Sequence, residues 1–252
     1  MPFHTDDGHR LAELGLAQRP ADAASFELTA AIVYVDPETG RNYRVPARGE
    51  ASAAPTDLAS VPSPLWGLIA SYGRQSAPAV LHDARSRAAA ALGDRRAALE
   101  QRRVDDRVFR TALREQGVPR LRARLMWAWV SADREREFGG VPGWLVLGQS
   151  VVGALVLVAG TIAAFSNPLW LVAWPLVGLA SLVRGRLAPL VATLTFSLAL
   201  LGPLVLVQLA ALVPFRLVEA AVELVTGGRP GDVWRPTVRG GARDGRGGED
   251  QG

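Results

Sequence analysis

The pattern of apolar and charged residues divides the chain into two parts. From Phe138 to Val183 there are 46 consecutive residues without a charge, and a second uncharged run of 29 residues extends from Leu187 to Phe215. A helix needs about 20 apolar residues to cross the hydrocarbon core of a bilayer, and a soluble domain has no need of such long apolar runs. We therefore expect a soluble domain at residues 25–137 and a transmembrane region at residues 138–226.

The apolar region predicts about three transmembrane helices, which we place at 144–165, 168–183 and 187–213. Gly202-Pro203 favours a kink in the third helix. A separate interfacial helix is expected at 215–225, because a fourth crossing there would carry Arg216, Glu219 and Glu223 into lipid. Four spans stay an alternative, since they would return the arginine-rich tail to the side that positive residues prefer.

Residues 25–137 predict an α+β domain that consists of a β-hairpin, an irregular loop and three helices. Strands are expected at 26–35 and 41–45, because β-forming residues flank a turn over 36–40 that contains proline and glycine. Prolines within 56–66 exclude a continuous helix there. Helices are predicted at 76–92, 95–116 and 119–137. We expect the two ends of the chain, residues 1–24 and 227–252, to be disordered.

Composition narrows the possible chemistry. The 252 residues include no cysteine and three histidines, and all 28 basic residues are arginine against 24 acidic residues. Disulfides, thiolate metal sites and cysteine nucleophiles are therefore excluded, and a net charge of +4 is too small to indicate nucleic-acid binding. Arg120, Arg122 and Arg124 precede the first span, where they favour contact with anionic lipid headgroups. Together with Arg184 and Arg186 they predict that the soluble domain is cytosolic.

Four short motifs carry a resemblance to a known family. They are TDLASVPSPLW at 56–66, YG at 72–73, AVLHD at 79–83 and DDRVFRTALREQGVP at 105–119. In this order and spacing, residues 25–130 resemble the domain of unknown function family 1353, which occurs in phages and bacteria. The resemblance implies phage-related descent and, with the apolar region, a multi-pass protein of the bacterial inner membrane. The sequence departs from the family after His82-Asp83, where an aromatic-rich stretch is usual, and in the alanine-rich loop before Thr56.

A second similarity concerns possible catalysis. A helix with His-Asp and a later helix with Asp-x-x-Phe is similar to the core of secreted phospholipases of the A-two type. That similarity implies His82 as the general base, Asp83 as a calcium ligand and Asp106 as the group that orients the histidine. Calcium would be the cofactor only if this hypothesis holds. The absence of cysteines and of a clear glycine-rich calcium loop argues against it.

Each candidate residue also has a structural interpretation. His82 and Asp106 either form a site or form a buried pair that ties two helices together. Four further residues of the loop are binding candidates: Asp57, Ser60, Trp66 and Tyr72. The side chains of Asp57 and Ser60 also suit hydrogen bonds to their own backbone, and Trp66 suits a place in the core.

Two functional hypotheses follow from the sequence. The first is a membrane-anchored interaction module that binds a protein partner at the cytosolic face. The second is a His/Asp hydrolase that acts on lipid or another ester close to the bilayer. Both expect the lipid bilayer as a partner and neither expects a nucleic acid.

Overall fold

The computed structural model describes residues 2–18, 25–56 and 73–234, and it combines a small β-region with a mostly helical remainder. The strands are β1 (Phe3–His4), β2 (Leu16–Gln18), β3 (Phe26–Leu28), β4 (Ile32–Val35) and β5 (Asn42–Val45). The helices are α1 (Ser76–Ala90), α2 (Arg95–Glu115), α3 (Arg120–Phe138), α4 (Gly140–Ala163), α5 (Ala173–Ser181) and α6 (Ala188–Thr226). Short 3-10 helices lie at Pro168–Val172, Leu182–Leu187 and Pro230–Trp234.

The expected hairpin is formed by β4 and β5, which pair antiparallel with Ile32 opposite Val45. Its turn is fixed by Asp36, whose carboxylate accepts hydrogen bonds from the Thr39 hydroxyl at 2.7 Å and the Glu38 amide at 3.2 Å. The first strand is shorter than predicted, because residues 26–35 divide into β3 and β4. Strand β3 leaves the hairpin to pair with β2 in a separate two-stranded sheet.

The N-terminal segment differs from the disordered start expected for residues 1–24. Strand β1 extends the hairpin into a three-stranded sheet in the order β1-β4-β5. Phe3 is completely buried with its ring centroid 5.1 Å from that of Tyr34, and Leu11 is buried in the same core. The segment was missed because isolated apolar residues among polar ones show no strand periodicity. Residues 19–24 lie outside the described ranges.

Helices α1, α2 and α3 lie within two residues of their predicted bounds. Asp94 begins α2 as its N-cap, because its carboxylate accepts hydrogen bonds from the amides of Arg96 at 2.6 Å and Ala97 at 2.9 Å. The β-region packs on α1 and α2 through Tyr34, Leu81 and other members of one buried cluster. A second cluster, which includes Phe109 and Met126, joins α2 to α3.

Helix α3 packs on the apolar helices as well as on α2. Ala128 and Ala132 share a buried cluster with Val146 of α4 and with Leu190 and Leu194 of α6. The turn from α3 into α4 is tight. Gly139 and Gly143 both lie so close to the backbone of Glu135 that a Cβ atom at either position would clash with its carbonyl oxygen. The domain is therefore packed directly against the apolar helices.

Among the described residues, two helical stretches have the length and composition to cross a membrane: Gly140–Ala163 with 24 residues and Pro168–Thr226 with 59 residues. The first contains most of the first predicted span. The second predicted span, 168–183, consists of a 3-10 helix and the nine-residue α5, which is shorter than one crossing. Three spans therefore remain a prediction.

The third predicted span and the interfacial helix expected at 215–225 are not separate elements. They belong to α6, which continues for 39 residues through Pro203 and Pro214. At about 1.5 Å per residue, α6 is about 58 Å long, against a hydrocarbon core of about 30 Å. Beyond α6, Pro230–Trp234 form a 3-10 helix inside the tail predicted to be disordered, and residues 235–252 lie outside the described ranges.

An ion pair between the hairpin turn and α2 gives a pH-dependent prediction. Arg107 lies 2.6 Å from Asp36, and this hydrogen bond lowers the pKa of the Asp36 carboxyl to about 2. A carboxylate whose pKa is lowered on folding stabilises the fold when the pH is above its unfolded-state pKa. This stabilisation is lost as the pH falls towards its folded-state pKa. We expect Asp36→Asn to cost about 2 kcal/mol at pH 7.

Urea titration of the full chain in detergent micelles at pH 7 and pH 3 measures the free energy of unfolding and tests this expectation. The difference between wild type and Asp36→Asn should shrink at the lower pH. Glu38→Gln is the control. Glu38 also contacts Arg107, but its side chain is 56% exposed, so this substitution should lower the free energy of unfolding by less. An equal difference at both pH values would contradict the prediction.

Candidate functional site

The candidate site centres on a hydrogen bond between two helices. His82 of α1 and Asp106 of α2 are both buried, and His82 Nε2 lies 3.1 Å from Asp106 Oδ1. The ring of His82 also packs on Phe109, with centroids 4.8 Å apart. The sequence predicted this meeting of α1 and α2, and the structure brings the two residues together.

The second oxygen of Asp106 is held by α3. Asp106 Oδ2 accepts hydrogen bonds from Ser131 Oγ at 3.0 Å and from Arg134 Nη1 at 2.5 Å. Arg134 also contacts Glu135, since Nη2 lies 2.9 Å and Nε 3.1 Å from Glu135 Oε1. Arg102 Nε lies 3.9 Å from Asp106 Oδ1. One carboxylate thus connects α1, α2 and α3.

Sequence reasoning missed Ser131, Arg134 and Glu135. Ser131 and Arg134 lie on α3 in a stretch of alternating charges that is typical of a solvated helix, yet Arg134 and Glu135 are both almost completely buried. A signal did exist, because positions 128, 131 and 135 recur at helical spacing on one face together with apolar neighbours. Only a known partner for that face would have shown that the charges were buried.

The electrostatics of Asp106 favour its ionised form. Burial raises the pKa of this carboxyl, but the hydrogen bond from His82 and the charges of His82, Arg134 and Arg102 outweigh burial and lower it below its ordinary value. An ionised Asp106 accepts a hydrogen bond at Oδ1, so His82 Nε2 is the nitrogen that carries the hydrogen and donates it. The other ring nitrogen, Nδ1, is then the one that could accept a proton.

The pKa of the neighbouring Asp105 shifts in the opposite direction from that of Asp106. Its Oδ1 accepts hydrogen bonds from Arg85 Nε at 3.1 Å and Gln101 Nε2 at 2.9 Å, while its buried Oδ2 has no partner among the described residues. Burial raises the pKa of the Asp105 carboxyl above its ordinary value, although Arg85, Gln101 and His82 oppose that shift. The structure buries Asp105 almost completely.

Asp83, the predicted calcium ligand, faces Thr56. Its Oδ2 accepts a short hydrogen bond from the Thr56 hydroxyl. Calcium takes six to eight oxygen ligands, usually with several carboxylates. The described part of the chain holds no group of three acidic or histidine side chains that could bind a metal.

The four binding candidates Asp57, Ser60, Trp66 and Tyr72 lie outside the described residues, so their placement stays a prediction. Two hollows in the described part lie away from His82. One of about 220 Å³ is lined by residues that include Glu27 and Arg48, and one of about 380 Å³ by residues that include Asp94 and Phe138.

The chemistry available to this arrangement is restricted by Arg134. A carboxylate that orients a catalytic histidine also stabilises the positive imidazolium that forms when the ring takes up a proton. Here Asp106 is already paired with a guanidinium on its other oxygen, and part of its charge is offset. The geometry suits a buried connection between helices and also retains the hydrogen bond that a general base requires.

Asp105 and Asp106 form a matched pair for a stability test. Asp106→Asn would remove the buried charge that Arg134 and Arg102 share and leave them Glu135 and Asp133 alone, so we expect a loss of about 3–5 kcal/mol. Asp105→Asn removes a charge whose burial is unfavourable, so we expect a change below about 1 kcal/mol. Urea unfolding of the full chain in detergent micelles at pH 7 measures both.

The pH dependence of the two carboxylates should have opposite signs. The ionised carboxylate of Asp106 adds to the free energy of unfolding when the pH is above its unfolded-state pKa. This contribution is lost as the pH falls below that value. The cost of ionised Asp105 is relieved as the pH falls through its raised pKa, because the folded state then takes up the proton first. Equal losses from the two substitutions at pH 7 would contradict this assignment.

A comparison with protein families identifies the N-terminal domain in part. Residues 26–130 match the family model described as "Protein of unknown function (DUF1353)". The match begins at β3 and ends within α3, so it includes His82 and Asp106 but not Ser131 or Arg134. No curated protein and no solved structure matches the chain. The predicted resemblance is thus confirmed for residues 26–130, which are similar to a family whose description names no activity.

Proposed function

We propose that the chain is an integral membrane protein whose N-terminal domain is a membrane-anchored interaction module for a protein partner at the cytosolic face. The observation that carries this proposal is the docking of α3 on α4 and α6 through Ala128, Ala132 and Val146. A domain held in this way has a fixed position relative to the bilayer. Such an arrangement suits a protein that presents a surface at the membrane.

The apolar surface of the helical region supports insertion into a bilayer. Leu155 of α4, Leu179 of α5 and Leu200 of α6 are each at least 60% exposed, as are many of their apolar neighbours. A soluble protein does not expose apolar patches of this extent. Lipid is the solvent in which such helices are stable, because their backbone hydrogen bonds are satisfied internally.

The distribution of arginine supports a cytosolic orientation of the domain. Arg184 and Arg186 lie in the turn between α5 and α6, and Arg184 donates hydrogen bonds to Gln149 and to the Leu145 carbonyl near the start of α4. This turn is therefore at the same end of the helices as the domain. Positive residues prefer the cytosolic side, which in a bacterium is the inner face of the inner membrane. The family resemblance is the basis for a bacterial and phage-related origin.

The hydrogen bonds of Asp106 to other protein groups favour an interaction module over an enzyme. Both carboxylate oxygens are occupied by protein groups, and Arg134 offsets the charge that would assist proton uptake by His82. A buried network of this kind specifies how three helices pack. The residues that the family resemblance singles out then maintain the domain's shape, and the binding surface lies elsewhere on it.

A membrane-proximal hydrolase is a second candidate, because His82 Nε2 does bond to Asp106 at 3.1 Å. For this candidate His82 acts as the base through Nδ1, and Asp106 holds the ring in one tautomer.

The topology can be tested in the natural cysteine-free background. We expect Ser166→Cys, in the turn after α4, and Thr226→Cys, at the end of α6, to react with a membrane-impermeant maleimide in intact cells. Ala51→Cys, on the N-terminal domain, should react only after lysis. Reaction of Ala51→Cys in intact cells would contradict the orientation, and protection of Thr226→Cys would favour four crossings over three.

The hydrolase candidate predicts that the full chain in mixed micelles releases fatty acid from phospholipid. His82→Asn should then lower the rate by about 100-fold or more, while Asp105→Asn keeps the wild-type rate. A wild-type chain without hydrolysis, with or without added calcium, would remove this candidate and leave the module unaffected.

A further inference from the structure

Helix α3 extends beyond the apolar helices on which it docks. Its contacts with them begin at Arg124, whose Nε donates a hydrogen bond to Thr193 Oγ1 of α6 at 3.1 Å, and continue through Ala128 and Ala132. The turn of α3 before these contacts contains Leu121, which is 70% exposed. Leu121 therefore lies outside the buried cluster that joins α3 to α4 and α6.

Three apolar residues form a stripe along α3 that runs from its first turn into the stretch docked on α4 and α6, and we call it the overhanging face: Leu121, Leu125 and Trp129. They follow one another at intervals of four residues, which places them on one side of the helix. Leu121 also precedes Ala128 by one heptad, so the two side chains project within about 20° of each other. The overhanging face thus begins on the side of α3 where the membrane helices lie.

Arginines without carboxylate partners surround the same end of the helices. Arg122 and Arg186 make no ion pair with any described residue, and Arg184 contacts only an amide and a carbonyl oxygen. A guanidinium presents donors that match the oxygens of a phosphate.

We propose that the overhanging face inserts into the interface of the cytosolic leaflet, and that Arg122, Arg124, Arg184 and Arg186 bind the headgroups of anionic phospholipids. This inference rests on the proposed membrane insertion of α4–α6. Leu121 and Leu125 bury apolar area at the boundary of the acyl chains, and Trp129 occupies the depth that tryptophan prefers. Lipid then covers the face of α3 that contains Leu121, Leu125 and Trp129.

The proposal is consistent with the different environments of the two tryptophans of α3. Trp127 is half-buried against the cluster that joins α3 to α4 and α6, and its ring centroid lies 5.1 Å from the guanidinium carbon of Arg110. Trp129 is 39% exposed on the overhanging face. Trp129 is therefore the more exposed of the two rings.

The insertion can be tested with spin labels on the full chain in nanodiscs of phosphatidylcholine with 30% phosphatidylglycerol. The labelled variants are Leu121→Cys on the overhanging face, Val35→Cys on the sheet across α2 from α3, and Leu155→Cys on α4. We expect the label at 121 to be more accessible to oxygen than to a water-soluble nickel chelate, as at 155, and the label at 35 to show the reverse. Equal behaviour at 121 and 35 would overturn the proposal, whereas an aqueous label at 155 would overturn membrane insertion itself.

The headgroup preference can be tested by charge-matched double variants. We expect the wild-type chain to melt about 2–8 °C higher in nanodiscs with 30% phosphatidylglycerol than in phosphatidylcholine alone. Arg122→Gln with Arg186→Gln should abolish most of this difference, whereas Arg10→Gln with Arg48→Gln, exposed residues of the N-terminal β-region, should retain it. Loss of the difference in both double variants, or in neither, would overturn specific headgroup binding.

Discussion

The structure depends on one buried carboxylate. An ionised group inside a protein is tolerated only when charges and hydrogen bonds replace the water that it has lost. Asp106 obtains these from His82 of α1 and from Ser131 and Arg134 of α3. Because a misaligned helix would leave a charge unpaired, this requirement fixes the relative position of three helices more strictly than apolar packing does.

The same constraint reaches the apolar helices through the end of α3. Arg134 is paired with Glu135, and the backbone of Glu135 is the surface against which Gly139 and Gly143 pack. Side chains at these two glycines would separate α3 from α4. Gly140 has a positive φ of 60°, which turns the chain sharply between the two helices. A polar network and a glycine-lined contact therefore hold the two parts of the protein together.

Much of the soluble fold could be predicted from sequence, because local signals determine it. The turn at Asp36 and the N-cap at Asp94 mark the ends of elements, and the family motifs indicated the pair His82–Asp106. The partners on α3 could not be predicted, since Arg134 resembles any charged residue of a solvated helix until its neighbours are known. Tertiary contacts likewise decided that Phe3 belongs to the core and that residues 168–183 break into short helices.

Helix α3 has consequences for how the protein unfolds. One face of α3 belongs to the core shared with α2, and another belongs to the core shared with α4 and α6. Its melting would remove apolar contacts from both cores at once, so neither part has a stability of its own in the thermodynamic sense. The N-terminal and apolar parts are then a single cooperative unit, even though their compositions differ as much as those of two separate proteins.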